Sequence, residues 1–313
     1  MNVTTIDCDY LGREGFAAAY LIEDQGKAAF IETNTNHAVP RLLEALAAAG
    51  RTPEDVEFIV ITHVHLDHAG GASLLMNRCP NATLLAHPRA ARHAIDPSKL
   101  VKSAKAVYGE ALFDELYGTI GPIDPERVRV MEDGDTATLG RRKLTFLHTR
   151  GHANHHACVL DEAASAIFTG DSFGVIYPHL QKAGCFAVPS TSPTDFDAPL
   201  ALEALDRIVG SGAKTAYPTH FGGYENLDEI AGQLRAQLEE YGGIQQRAFD
   251  AGLEGEALNT FCDKEVQGLF ARLLSAHGLA DDPDARGILE TDAKLNAQGV
   301  AFAVRRQRRR AER

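Results

Sequence analysis

Residues 62–71 of the chain read THVHLDHAGG and place three histidines and one aspartate within six positions. Imidazole and carboxylate groups are costly to bury and contribute little to an apolar core. The stretch follows VEFIVIT (56–62), a short β-branched run that is typical of a buried strand. Because loops at strand ends are where a rigid scaffold presents functional groups, we interpret the stretch as a metal site.

The spacing within this stretch allows more than one metal. His63 and His65 stand two apart, so in extended backbone their side chains point the same way, and Asp67 continues that parity. His68 breaks the parity unless the chain has turned, which the sequence at 69–71 favours. One loop can therefore offer two nitrogens to one ion, and a carboxylate and a nitrogen to another. Such ligands suit Zn, Fe or Mn.

Three other predicted strands also end in residues that can bind a metal. KLTFLHTRGHANHH (143–156) ends in a cluster of histidines. SAIFTGDSFG (165–174) places Asp171 just past a strand, and KTAYPTHFGG (214–223) places His220 in the same way. Together with THVHLDHAGG, these segments indicate a site built from several strand ends.

The motifs THVHLDHAGG, TRGHANHH, FTGDSFG and PTHFGG resemble those of the metallo-β-lactamase superfamily, in that family's order, over about residues 10–223. TRGH stands where the family usually has TPGH. The resemblance implies an α+β fold, a four-layer αββα sandwich of two sheets covered by helices, with a two-metal site at one edge. Apolar residues at helical spacing over 225–278 predict a helical C-terminal appendage.

The resemblance also implies a glyoxalase II-type set of seven ligands for two divalent metal ions, with Zn preferred and Fe or Mn as alternatives. These ligands are His63, His65 and His152 for the first metal, Asp67, His68 and His220 for the second, and Asp171 as the bridge. Asp67 is also the candidate catalytic residue, since it could pass a proton to a leaving group. Four further side chains are candidates for orienting ligands or contacting substrate: His156, His155, His87 and Tyr177.

Departures from other branches of the family narrow the reaction. A true β-lactamase usually has a cysteine at the position of Asp171, and the flavodiiron branch has a glutamate at that of His65, so neither branch fits. PTHFGG differs from the GHE motif of glyoxalase II-like enzymes, and Gly174 stands where quorum-quenching lactonases usually carry tyrosine.

We therefore predict a metal-dependent hydrolase, thioesterase-like or lactonase-like, that uses a metal-bridging hydroxide on a small ester, thioester or lactone. Two alternatives stay open. One is an iron-dependent sulfur dioxygenase-like enzyme, and the other is a non-catalytic metal-binding signalling protein on the same scaffold.

Composition sets limits on partners and location. The net charge of -12 disfavours a general nucleic-acid partner, which needs a basic surface. No apolar run is long enough to span a membrane, and no secretory signal is recognisable. Five scattered cysteines without a CxxC pair favour free thiols and a cytoplasmic location. The expected partner is a small-molecule substrate, with a homodimer as an open alternative to the monomer.

The predicted organisation is a catalytic domain over 1–224 and a helical extension over 225–313 with a basic tail, RRQRRRAER. A helical insertion at about 93–128 either packs against the core or forms a lid over the metal site; within it, 96–117 is predicted to be helical. We expect the tail (305–313) to be a frayed, solvated terminus, as chain ends commonly are. An acidic partner, or the protein's own acidic residues, is the alternative.

Overall fold

The computed structural model describes residues 2–191 and 194–312, without the side chains of Val107 and Tyr108. The part of the predicted insertion that falls on those two side chains therefore lies outside the described residues. Contacts divide the chain into two compact units. Unit 1 contains Met1–His148, His155–Gly170 and Ser211–Glu225, and unit 2 contains Thr149–Asn154, Asp171–Gly210 and Asn226–Arg313. The predicted domain boundary at 224/225 stays a prediction.

The first sheet of unit 1 has six strands in chain order. They are β1 (Val3–Asp7), β2 (Ala18–Asp24), β3 (Lys27–Ile31), β4 (Val56–Ile61), β5 (Thr83–Ala86) and β6 (Val128–Val130). The pairs β1–β2 and β2–β3 are antiparallel, and the remaining pairs are parallel. The hairpin predicted around residues 24–27 is confirmed, with Gln25 and Gly26 both at positive φ in its turn.

The second sheet of unit 1 has five strands in the order β11-β10-β9-β8-β7. They are β7 (Thr136–Leu139), β8 (Arg142–His148), β9 (Ala157–Asp161), β10 (Ala166–Gly170) and β11 (Thr215–Pro218). Only β10–β11 is parallel among these pairs of the described chain. The predicted strands at 143–149, 157–161, 165–170 and 214–219 are all confirmed within a few residues.

The core of unit 1 follows from the alternation of side chains along its strands. One set of buried residues from both sheets forms a single apolar cluster; it includes Tyr20, Ile22, Val60, Leu85, Leu144, Phe146, Val159 and Phe168. The alternate residues of the first sheet pack instead against helices α1 (Val39–Ala48), α3 (Ala72–Arg78) and α4 (Pro88–Ile95). The first sheet is thus buried on both faces, which explains its almost continuous apolar strands.

The insertion forms two helices rather than the single helix predicted over 96–117. They are α5 (Ser98–Tyr108) and α6 (Glu110–Tyr117), separated by Gly109 at φ +80°. That conformation is open mainly to glycine and interrupts the helix, so the prediction of one helix was wrong. Phe113 and Tyr117 of α6 are buried in a small cluster with Leu66, a residue of the THVHLDHAGG stretch.

Unit 2 carries the remaining long helices. They are α7 (Ala198–Val209), α8 (Leu227–Asp250), α9 (Gly255–Ala276) and α10 (Pro283–Ala311). The helical prediction for 225–278 is confirmed by α8 and α9. No helix among the described residues is long and apolar enough to cross a membrane.

The arginine-rich tail belongs to α10, so the expectation of a frayed terminus was wrong. The guanidinium of Arg306 donates to Asp197 Oδ2 at 2.8 Å and to the backbone oxygen of Asp195 at 3.1 Å. Arg308 forms an ion pair with Glu254 at 2.6 Å. The tail therefore contacts acidic residues of its own unit, as one of the alternatives proposed.

Candidate metal centre

The THVHLDHAGG stretch changes direction where β4 ends. His63 and His65 lie before a one-turn helix, α2 (Leu66–Ala69), which carries Asp67 and His68. The Nε2 of His63 and the Nδ1 of His65 are 2.9 Å apart, so two ring nitrogens converge on one side of the turn. His63 is fully buried, whereas His65 is partly exposed.

The two glycines of the stretch let it approach the loop after β3. A Cβ on Gly71 would lie 2.8 Å from the backbone oxygens of Thr33 and Thr35, closer than real Cβ atoms come. Backbone bonds hold this approach, with Thr33 N donating to His68 O at 2.9 Å and Gly71 N donating to Asn34 O at 2.7 Å. The glycines therefore serve the backbone conformation that orients the motif.

A second group of donors in unit 1 joins α2 to the end of β11. Asp67 Oδ2 lies 3.6 Å from His68 Nε2 and 3.4 Å from His220 Nε2. Ligands bonded at about 2.0–2.1 Å to one tetrahedral zinc are separated by roughly 3.4 Å. These three side chains therefore have the spacing of ligands to a common metal ion.

Hydrogen bonds fix which nitrogen of each ring can bind a metal. His220 Nδ1 lies 2.5 Å from the backbone oxygen of Phe16, which only accepts, so Nδ1 carries the proton. His68 Nδ1 likewise donates to Glu32 Oε1 at 3.2 Å. In both rings this leaves the Nε2 lone pair directed toward Asp67, the arrangement that orients metal-binding histidines.

Glu32 is a functional candidate that the sequence reasoning missed. Its carboxylate is buried, with 1% of the residue exposed, at the end of β3. Oε1 accepts from the hydroxyls of Thr62 and Thr219, the latter at 3.2 Å, as well as from His68. Each threonine directly precedes a predicted ligand. The available signal was an acidic residue directly after a buried strand that neighbours β4.

The same carboxylate reaches His63 through Thr62. The Thr62 hydroxyl donates its hydrogen to Glu32, so its oxygen accepts from His63 Nδ1 at 3.1 Å. His63 thereby also presents Nε2 as a lone-pair donor. One buried carboxylate thus orients ligands from both ends of the motif.

Unit 2 holds the two other predicted ligands. His152 Nε2 lies 3.5 Å from Asp171 Oδ2, again the separation of ligands to one ion. His152 Nδ1 donates to the backbone oxygen of Ser190 at 3.0 Å, and the Ser190 hydroxyl donates to Asp171 Oδ2 at 2.9 Å. Ser190 was also missed, because nothing in the local sequence marks it.

The four further candidates have different surroundings. In unit 1, His156 and His155 place their ring centroids 4.8 and 5.9 Å from that of His63, beside the predicted ligands. His87 Nδ1 accepts from the backbone of Arg89 and so caps α4. In unit 2, the Tyr177 hydroxyl donates to Asp292 at 3.3 Å. The described contacts of His87 and Tyr177 are structural, and ligand or substrate roles for all four stay predictions.

The donor chemistry of each unit fits a divalent metal. The predicted ligands are imidazole nitrogens and carboxylate oxygens without a thiolate, a set that suits Zn, Fe or Mn. Their spacing and the hydrogen bonds on the opposite ring nitrogens fit as well. The arrangement can bind divalent ions and hold an ionised carboxylate beside them.

Comparison with known proteins gives the family. The sequence profile of the metallo-beta-lactamase superfamily matches residues 12–220. The chain is 27% identical over 220 residues to the metallo-beta-lactamase fold-containing protein ST1585 of Sulfurisphaera tokodaii, covering 69% of this chain and 79% of that protein. It is 23% identical over 227 residues to a hydroxyacylglutathione hydrolase of Francisella philomiragia, covering 72% of each.

Two further likenesses are informative. The acyl-coenzyme A thioesterase MBLAC2 of Gallus gallus is 27% identical over 187 residues, covering 55% of this chain and 60% of that protein. The crystal structure of ST1585 superposes with a TM-score of 0.66 at 20% identity, covering 96% of this chain and 98% of that chain. That likeness shows the fold, two sheets flanked by helices with a C-terminal helical region, as predicted. The chain belongs to the metallo-β-lactamase superfamily.

Proposed function

We propose that the protein is a dinuclear metal-dependent hydrolase of a small ester, thioester or lactone. Family membership and relatives named as a hydrolase and a thioesterase support metal-dependent hydrolysis in general. The observation that carries the proposal is the group formed by Asp67, His68 and His220, whose donor atoms have the spacing of ligands to one ion.

The proposed ligand assignment follows the order of the motifs in the family. In that order, the first ion would be held by His63, His65 and His152, and the second by Asp67, His68 and His220, with Asp171 as a ligand shared by both. Zinc is the preferred metal, with iron or manganese as alternatives. When bound, two such ions supply a hydroxide at neutral pH, because coordination lowers the pKa of water to about 7, and they polarise the substrate carbonyl.

The chain's own residues prepare this chemistry. Glu32 and a backbone oxygen accept from the Nδ1 atoms of His68 and His220, so both rings are oriented with Nε2 toward the proposed metal. The side chain of Asp67 is 26% exposed, whereas that of His68 is fully buried. Because the carboxylate of Asp67 is the accessible one of these two side chains, we propose that it passes a proton to the leaving group.

The insertion at 93–128 is proposed to act as a lid. Phe113 and Tyr117 of α6 pack on Leu66, which lies between His65 and Asp67. Movement of α6 would expose this part of the loop and admit an apolar acyl group. The catalytic domain remains proposed as 1–224, the partner as a small molecule and the location as cytoplasmic.

The test combines metal analysis with a panel of thioesters, lactones and phosphodiesters. We expect two metal ions per chain, and we expect Asp67→Asn to lower turnover by about 10²–10⁴-fold, the range of general acid–base catalysis. Asp124→Asn is the matched control, because Asp124 only caps a short 3-10 helix in the same unit. Full turnover by metal-free protein or by Asp67→Asn would refute the proposal.

Other outcomes of the same panel identify the alternatives. Oxygen consumption with a persulfide and one bound iron would indicate the sulfur dioxygenase-like enzyme. Failure on every substrate class with metal bound would favour the signalling protein.

A further inference from the structure

We propose that Asn296, on the C-terminal helix α10, is a positioning residue for the predicted metal ligands His152 and Asp171, acting through Ser190. The inference rests on the proposed function in that it takes these two residues as ligands. All of its contacts lie within unit 2.

Both ligands depend on one serine. The Ser190 backbone oxygen accepts from His152 Nδ1 at 3.0 Å, and its hydroxyl donates to Asp171 Oδ2 at 2.9 Å. The first bond fixes the ring nitrogen that His152 presents, and the second orients the carboxylate. A shift of Ser190 would therefore disturb both ligands together.

Ser190 lies in an irregular segment, outside any helix or strand. Such a segment lacks a hydrogen-bond ladder of its own, so contacts from other elements must fix its position. The contacts on its two neighbours come from α10. Asn296 Nδ2 donates to the backbone oxygen of Pro189 at 2.7 Å, and Asn296 Oδ1 accepts from the backbone nitrogen of Thr191 at 2.9 Å.

The amide of Asn296 is used almost completely. Nδ2 also donates to the Tyr241 hydroxyl of α8 at 3.0 Å, and Oδ1 also accepts from the Thr191 hydroxyl at 3.1 Å. The residue is 1% exposed and Tyr241 is fully buried. A buried amide with bonds in opposite directions has one permitted orientation. It therefore holds the backbone on both sides of Ser190 in a defined place.

Removing the Asn296 side chain leaves Pro189 O and Thr191 N without these bonds, and the segment can then shift. Loss of a residue that directly holds a metal ligand typically weakens metal binding by about 10–100-fold. Asn296 acts one step further away, so we expect Asn296→Ala to weaken zinc binding by about tenfold, at the lower end of that range.

The control is Gln237→Ala. Gln237 of α8 is also a buried amide, 3% exposed, and its Nε2 donates to Ala187 O at 2.8 Å in the same segment. The bond from Gln237 reaches a residue three positions before Ser190, whereas the bonds from Asn296 reach the two residues that flank Ser190. We therefore expect the control to lose stability through the loss of a buried amide, without the proposed loss of ligand orientation.

The experiment uses the full chain, stripped of metal and titrated with zinc against a chromogenic chelator. Cobalt absorption spectra of the same variants report ligand geometry independently of catalysis. We expect Asn296→Ala and Ser190→Ala to weaken zinc binding and alter the cobalt spectrum. We expect Gln237→Ala to leave both unchanged while lowering the melting temperature. Thr191→Val, which removes one hydroxyl, replaces Asn296→Ala if that variant does not fold.

Three results would overturn the inference. Equal zinc affinity in wild type and Asn296→Ala (or its Thr191→Val replacement), or an equal loss in the Gln237→Ala control, would show that Asn296 only stabilises the helix. Wild type that binds no divalent metal would refute the proposed function itself. That last result is distinguishable because it is seen before any variant is compared.

Discussion

The two units hold their predicted ligands by different means. In unit 1, a buried carboxylate, Glu32, accepts hydrogen bonds from residues on or next to the ligands at the ends of β4 and β11. In unit 2, an uncharged serine on an irregular segment holds His152 and Asp171. Hydrogen bonds to an ionised group are roughly twice as strong as neutral ones. Before metal binds, we therefore expect the predicted ligands of unit 1 to be held in place more firmly than those of unit 2.

The largest effect that we expect is a loss of stability when the close packing of unit 2 beside His152 is disturbed. Gly151 has φ +123°, and a Cβ there would lie 2.3 Å from the backbone nitrogen of Ala201. Since backbone cannot rotate away, we expect Gly151→Ala to lower the free energy of unfolding by about 3 kcal/mol or more, from strain and overpacking together. Urea denaturation measures this change.

A matched pair isolates the steric part. Gly184, also in unit 2, has φ +114°, and a Cβ added there would meet no atom within 4 Å, so Gly184→Ala carries the strain without the collision. In unit 1, a Cβ on Gly170 would meet the side chains of His156 and Thr62 instead of backbone. Equal losses for Gly151→Ala and Gly184→Ala would contradict the steric explanation.

The second prediction tests the carboxylate of unit 1. Glu32→Gln replaces an acceptor oxygen by an NH₂ group that faces donors from Thr62, Thr219 and His68. We expect zinc binding to weaken by about 10–100-fold, more than in Ser190→Ala, because the lost bonds involved a charge. Chelator competition measures both variants. Glu23→Gln, a half-buried glutamate of β2 paired with Arg51, is the control.

Which of the two variants, Glu32→Gln or Ser190→Ala, loses more zinc affinity decides whether unit 1 is the better organised unit. If Ser190→Ala weakened zinc binding more than Glu32→Gln, the serine would be the stronger determinant and unit 2 the better organised. If Glu23→Gln matched Glu32→Gln, the loss would reflect any missing carboxylate rather than this one.

The smallest expected effect is on the way stability changes with pH. Hydrogen bonds from the Arg141 guanidinium lower the pKa of Asp24 in unit 1 to about 2. A carboxyl whose folded pKa is lowered contributes stability above its unfolded pKa, near 3.9, and loses it as pH falls toward about 2. We therefore expect metal-free Arg141→Gln to lose less stability than wild type between pH 5 and pH 3.

The carboxyl of Asp282 gives a second test of this pH dependence, in unit 2. A hydrogen bond from Lys182 lowers the pKa of Asp282, so Lys182→Gln should act in the same direction. Urea unfolding at the two pH values measures both variants. Because Arg141 is 65% exposed, its effect is expected to be small. An identical acid slope in wild type and Arg141→Gln would contradict the assignment.

Local patterns predicted the parts of the fold and site that are local. Runs such as VEFIVIT carry their own strand signal, and the metal motifs follow those runs directly. The strands, the hairpin and the family were therefore predictable. The break at Gly109 was not predicted, because a glycine inside a helical segment does not by itself show that the backbone takes positive φ there.

The missed residues depend on contacts far along the chain. Glu32 and Thr219 are 187 residues apart in sequence, and Ser190 and His152 are 38 apart. No spacing rule connects such pairs. Helix α10 was predicted only as part of the helical extension over 225–313, without bounds of its own, because half of its buried face is alanine, including Ala285, Ala293, Ala297 and Ala301. That face gives little hydrophobic periodicity, although Asp282 and Pro283 are a recognisable helix start.

The bond between His220 and Phe16 has a consequence for the order of folding. The two residues are 204 positions apart, and closing so long a loop is entropically unfavourable until other contacts reward it. One short stretch of sequence contains His63, His65, Asp67 and His68. In contrast, His220 comes close to them only after distant strands have paired. Binding of the metal ion that we propose for His220 would therefore follow the pairing of these distant strands, and the rate of zinc uptake would measure this last stage of refolding.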